Sequence, residues 1–152
     1  MVQYTIKRGS FNKESCQQWV SCLLNKVRYQ DTGRVVIICD NAPCHNGLEE
    51  LFQKNENENF GLLRLGPYSP ALNPIEGIWS VLKSVIKKKM RDGYTKMLQG
   101  HLGQPMSKTK WRIRFLEKIA QESPSVITPG HCSQMVTYVR QRYTDVLEFK
   151  DL

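Results

Sequence analysis

Two acidic residues, Asp40 and Glu76, stand where a carboxylate can do chemistry. Asp40 closes the run Arg-Val-Val-Ile-Ile-Cys-Asp at 34–40, the carboxyl end of an expected strand, and sites in open α/β sheets gather at such ends. Glu76 lies 36 positions further on, in the first turn of a helix that opens after Asn73-Pro74. If the two strands between them are sheet neighbours, both acids reach one sheet edge. Two carboxylates held together repel, and a divalent cation between them removes that cost. Magnesium held in this way serves phosphoryl transfer, activating an attacking water or hydroxyl and steadying the leaving oxygen. Each acid also has a plainer reading. Asp-Asn commonly forms a turn, and Asn73-x-x-Glu76 is close to a capping box. On the residues alone both readings stand open.

Other chemistries fit less well. Cys39, Cys44 and His45 have a C-x4-C-H spacing, but no second ligand pair follows, and His131-Cys132 is a poor partner for structural zinc. Ser69 has no motif around it, and His45 beside Cys44 lacks an orienting partner, so no nucleophilic triad is expected. No glycine-rich phosphate loop is present.

The elements that must position the two acids follow from periodicity. Residues 2–8 (VQYTIKR) alternate and predict a strand. Ser10 or Asn12 can cap a helix, and Cys16, Trp19, Val20, Leu23, Leu24 and Val27 then share one helical face. The β-branched run 34–40 predicts a strand buried on both faces, as in a parallel sheet. A short helix is expected over 47–54 and a second buried strand over 60–65. After Asn73 as cap and Pro74 at the first helical position, Ile75, Ile78, Trp79, Leu82, Val85 and Ile86 form the apolar stripe of a longer helix. Glu76, Ser80, Lys83 and Lys87 lie on its polar face. Gly93 and residues 100–105 read as a linker-like break. Two more helices follow, one with Trp111, Phe115 and Ile119, the other with Cys132, Met135, Val136, Val139 and Tyr143. The alternation of strands and helices predicts an α/β fold.

Charge is unevenly spread over the 152 residues. Residues 1–82 hold eight basic and eight acidic side chains, while residues 83–110 hold Lys83, Lys87, Lys88, Lys89, Arg91, Lys96, Lys108 and Lys110 against Asp92 alone. Such a segment is an electrostatic footprint for a polyanion, with a solvated helix end as the plainer alternative. A 40% hydrophobic content supports a core, and no run approaches the ~20 apolar residues of a membrane span. The first residues lack the apolar stretch of a signal peptide, and five scattered cysteines suit reduced thiols. The expected setting is soluble and not secreted, in the nucleus or cytoplasm.

The segments ICDNAPCH at 38–45 and GPYSPALNPIEGIWSVLK at 66–83 resemble the two signatures of Tc-one/mariner-type DDE transposases. The resemblance covers roughly residues 1–90. It implies an RNase H-like fold and magnesium- or manganese-dependent cleavage and joining of DNA. By motif position Asp40 would be the second catalytic and metal-binding carboxylate and Glu76 the third. Asn41, His45, Tyr68, Ser69, Pro70, Asn73 and Pro74 match motif residues near the site, and Lys83, Lys87, Lys88, Lys89 and Arg91 would meet DNA. The family's first Asp lies on the first strand of its sheet. The upstream candidates here are Glu14, in a helix turn, and Asp31, in a loop. Ala71 stands where the motif commonly has Asp. The resemblance thus implies a partial core over 1–92 without the first strands, a basic linker over 93–110 and a C-terminal helical region over 111–152. A chain without the first acid is expected to be inactive alone, and without the first strands to leave sheet edges uncovered unless a partner or second copy covers them. Three readings follow: a DNA-cutting core, a non-enzymatic DNA-binding derivative, or a module whose basic segment meets an acidic protein.

Overall fold

The computed structural model describes residues 3–28, 33–54, 57–67, 69–100, 102–103 and 105–148. The chain forms two compact units. One comprises Val2–Asn73 with Val139–Leu152, the other Pro74–Tyr138.

In the first unit, helix α1 spans Lys13–Arg28. The Asn12 side chain accepts from the Ser15 N–H and so caps its start, while Lys26 and Arg28 suit the dipole at its end. Cys16, Val20 and Leu24 are buried along the expected face, with Trp19 and Val27 beside them. This face lies on one side of a two-stranded sheet of β1, Val35–Cys39, and β2, Phe60–Arg64. The strands are parallel, with Val35 opposite Phe60 and Cys39 opposite Arg64. A parallel pair needs a crossover. Here it carries a 3-10 turn at Pro43–His45 and the short helix α2, Glu49–Phe52, with Leu48 sealed in the core.

Two expectations about this unit fail. Residues 3–8 form no strand, although they alternate; Gln3 instead donates a side-chain hydrogen bond to the Trp19 carbonyl. The strands are also not buried on both faces. Val35, Ile37 and Cys39 face the core, while Val36, Ile38 and Leu63 are 49%, 43% and 47% exposed. The reason is coverage: α1 and α2 supply apolar partners to the face of Val35, Ile37 and Cys39.

The second unit is helical. Helix α3 spans Pro74–Asp92, with Pro74 at its first position as expected. Its stripe is less buried than the periodicity implied. Ile78, Leu82, Val85 and Ile86 are half-buried, while Ile75 and Trp79 stay exposed. Within 93–110 lies another helix, α4, Tyr94–Gln99. Helix α5, Lys108–Glu122, starts at Ser107, whose hydroxyl accepts from the Lys110 N–H at 3.3 Å. Phe115 and Trp111 of α5 lie against Gly93 and Gly100, so close that a Cβ there would sit 2.5 and 2.4 Å from the rings. These two glycines are therefore packing positions. Helix α6, Pro129–Leu147, carries the last apolar set; it begins in this unit, and from its buried Val139 onward it belongs to the first. No helix among the described residues is long and apolar enough to cross a membrane.

Candidate functional site

Asp40 follows the last residue of β1, where the strand register ends and the crossover begins. Its side chain is half-exposed. One oxygen, Oδ1, accepts from the Ala42 main-chain N–H at 3.0 Å and from His45 Nδ1 at 2.8 Å. The same ring nitrogen lies 3.2 Å from the Asp40 carbonyl. Both neighbours of Nδ1 are acceptors, so Nδ1 carries the proton and Nε2 of the neutral ring does not. The orienting partner that His45 lacked in sequence is Asp40 itself. Among the described residues, Oδ2 of Asp40 accepts no hydrogen bond.

Asn41 ties the same turn to the second strand. Its amide donates to the Leu65 carbonyl at 2.8 Å, and the Leu65 N–H donates to the Cys39 carbonyl at 2.9 Å. The turn reading of Asp-Asn is thus physically real, and among the described residues it engages only one carboxylate oxygen.

Two residues not singled out in sequence complete this corner. Arg64 ends β2 opposite Cys39. Its Nη1 donates to the Asp40 carbonyl at 3.2 Å and its Nη2 to the His45 carbonyl at 2.6 Å. Nε and Nη2 both lie 2.8 Å from Glu49 Oε1. The Glu49 carboxyl is held below its ordinary range, first by its own main-chain N–H and then by Arg64. A charged residue closing the apolar run Phe-Gly-Leu-Leu-Arg was the available signal for Arg64. Nothing in the spacing points to Glu49.

Beneath the turn lies a group of thiols. Cys16 is buried, with Cys39 and Cys44 packed against the same core. Burial pushes the Cys16 thiol up, and the Cys44 and Cys39 thiols add to it. Burial raises Cys39 as well, against the opposing charge of Arg64.

The remaining motif residues divide between the units. Ser69 precedes a 3-10 turn at Pro70–Leu72 and donates to the Pro67 carbonyl at 3.2 Å. Asn73 is buried. The Leu72 carbonyl accepts from the Tyr143 hydroxyl of α6 at 3.4 Å. These residues belong to the unit that holds Asp40, Asn41 and His45. Pro74 and Glu76 belong to the helical unit, where Glu76 is exposed in the first turn of α3. Ser80, Lys83 and Lys87 are exposed on the same helix, as are Lys88 and Arg91. Lys89 is partly engaged, with its Nζ 3.7 Å from Glu122. Tyr68 and Asp31 lie outside the described residues, and Glu14 is exposed in the first turn of α1.

Charge follows the division into units. Pro74–Tyr138 holds eleven lysines and arginines against four carboxylates, a net of +7 out of +8 for the whole chain. Arg112, Arg114 and Lys118 of α5 extend the basic set beyond α3.

As a donor, Asp40 Oδ2 is a hard oxygen of the kind that magnesium or manganese takes. Among the described residues, no group of three or more His, Cys, Asp or Glu side chains is arranged to hold a metal ion.

Comparison with curated proteins and with solved structures finds no match. The family model described as DDE superfamily endonuclease matches residues 2–96. That span contains the turn at Asp40, the loop at 66–73 and the start of α3. The chain belongs to the DDE superfamily endonucleases.

Proposed function

We propose that this chain is a transposase-derived DDE domain of Tc-one/mariner type that binds DNA, built on a partial RNase H-like core. In this reading Asp40 and Glu76 descend from a metal-dependent DNA strand cleavage and joining reaction. The observation that carries it is the state of Asp40: a half-exposed strand-end carboxylate whose Oδ1 is held by His45 and Ala42 and whose Oδ2 accepts no hydrogen bond among the described residues. A carboxylate that only formed a turn has no need of the His45 ring.

Asp40 and Glu76 would hold magnesium or manganese. When bound, such an ion supplies Lewis-acid activation of water or a hydroxyl and stabilises the leaving oxygen. Asn41 and His45 fix the Asp40 turn, while Tyr68, Ser69, Asn73 and Pro74 match the family motif ahead of Glu76. Lys83, Lys87, Lys88, Lys89 and Arg91 contact the phosphate backbone. The domain arrangement is a core over 1–92, a basic segment over 93–110 that includes α4, and a helical region over 111–152. The exposed sheet face at Val36, Ile38 and Leu63 suits coverage by a second copy or a partner. In this reading the protein works in the nucleus or the cytoplasm.

A second reading is a catalytically inactive DNA-binding or protein-interaction module. It is favoured by the concentration of charge in the helical unit. Manganese titration by calorimetry and nicking of supercoiled plasmid separate the two, with Asp40→Ala and Glu76→Ala as controls. Saturable binding and nicking lost in both variants support the enzyme. DNA binding with neither metal uptake nor nicking in the wild type supports the module.

A further inference from the structure

The turn from Asp40 to His45 holds its second half through the 3-10 bond from the His45 N–H to the Ala42 carbonyl at 2.8 Å, and that bond leaves the Asp40 and His45 carbonyls to other partners. Two main-chain carbonyls, at its first and last residues, point to one group, the guanidinium at the end of the neighbouring strand. We propose that Arg64, oriented by Glu49, is a positioning residue that sets which oxygen of Asp40 is presented to solvent. It does this by fixing the His45 main chain and hence the imidazole.

The chain of contacts runs in one direction. Glu49 Oε1 takes Nε and Nη2 of Arg64 at 2.8 Å and fixes the plane of the guanidinium. The remaining N–H groups then reach the Asp40 and His45 carbonyls at 3.2 and 2.6 Å. With both ends of the turn pinned, His45 Nδ1 stands 2.8 Å from Oδ1 and leaves Oδ2 clear. Arg64 thus reaches the backbone of Asp40 and not its carboxylate, so the negative charge of Asp40 is not spent on the arginine. A lysine cannot reproduce this, because one ammonium cannot hold two carbonyls and a carboxylate in a single plane. Orienting partners of this kind typically alter metal affinity 10–100-fold. That part of the inference rests on the reading of Asp40 as a metal-site acid; the positional part does not.

The decisive measurement is the tautomer of His45, read by NMR of ¹⁵N-histidine-labelled protein at pH 8 without metal, with His45→Gln assigning the signal. The wild type should show His45 protonated at Nδ1. Arg64→Met and Arg64→Lys should both convert it to the mixed tautomers of a solvated ring, and Glu49→Gln should do so partially. Val27→Ala, which loosens the same core from α1, should leave the tautomer unchanged, so a general loss of stability does not mimic the effect. Should Arg64→Met fail to fold, Arg64→Lys decides alone. An Nδ1–H ring retained in a folded Arg64 variant overturns the proposal. Manganese affinity is the second readout, and Arg64→Met should lose at least about tenfold. A wild type that binds no manganese, yet loses the tautomer on substitution, removes the metal-site reading and keeps Arg64 as the organiser of the turn.

Discussion

Around Asp40 each polar contact has a separate task, and the tasks differ in their response to pH. Glu49 has a depressed carboxyl in the folded chain. The stability it contributes is present above the ordinary carboxylate range and is lost as pH falls through its folded value. Glu49→Gln should therefore flatten the acid side of a melting-temperature profile taken from neutral to acid pH, and a steeper profile would contradict the pairing with Arg64. The thiols respond at the opposite end. Cys16 and Cys39 are raised by burial, so the unfolded chain ionises first, and their contribution falls as pH rises from the ordinary thiol value through the folded ones. Mass spectrometry after brief alkylation at pH 8 should find Cys22 and Cys132 modified first, since both are exposed, with Cys16 and Cys39 protected until denaturant is added.

Among the secondary-structure elements, the helices show where a glycine substitution should change sign. In a helical conformation Gly→Ala usually gains up to ~1 kcal/mol. At Gly93 and Gly100 a new methyl would meet Phe115 and Trp111, and at Gly100 also the Lys96 carbonyl at 2.6 Å. Overpacking of this kind costs ~1–3 kcal/mol and outweighs the propensity gain. Urea unfolding should show Gly93→Ala and Gly100→Ala destabilised. Gly130→Ala, whose new Cβ meets only the Thr128 hydroxyl at 3.5 Å, should be neutral or stabilising. The same elements show what could be read from the chain. The apolar spacing of α1 and the Asn12 and Pro74 boundaries were legible because local propensity and burial agree there. The run at 60–65 likewise anticipated β2. The N-terminal strand and the double burial of β1 were misread because both depend on neighbours, and alternation or apolarity in one segment does not say whether a partner exists. At the candidate site, the closeness of Asp40 and His45 was legible from their spacing in the motif. Arg64 and Glu49 were not, since their pairing is made by the crossover and leaves no periodic trace.

For the whole molecule, the two units divide shape from charge. The unit with the sheet is almost neutral and the helical unit carries nearly all of the excess. DNA affinity measured against salt should fall with a slope of about −0.9 per phosphate contact. Lys87→Gln and Lys88→Gln should each make that slope shallower. Lys89→Gln should change it less, because Glu122 already neutralises part of its charge. Equal losses at all three positions would show that the ion pair yields to DNA. The unit of Val2–Asn73 is also discontinuous: Tyr143 of α6 reaches back to Leu72, and Val139–Leu152 belongs with it. During synthesis this has a price in time. The sheet and α1 leave the ribosome first, and the Leu72 carbonyl waits for Tyr143 until the sixty-five residues of Pro74–Tyr138 have been made. At ~5–20 residues per second this is a delay of roughly 3–13 s. For that interval the first unit is without Val139–Leu152, although the residues that build the core of α1 and the sheet are already made.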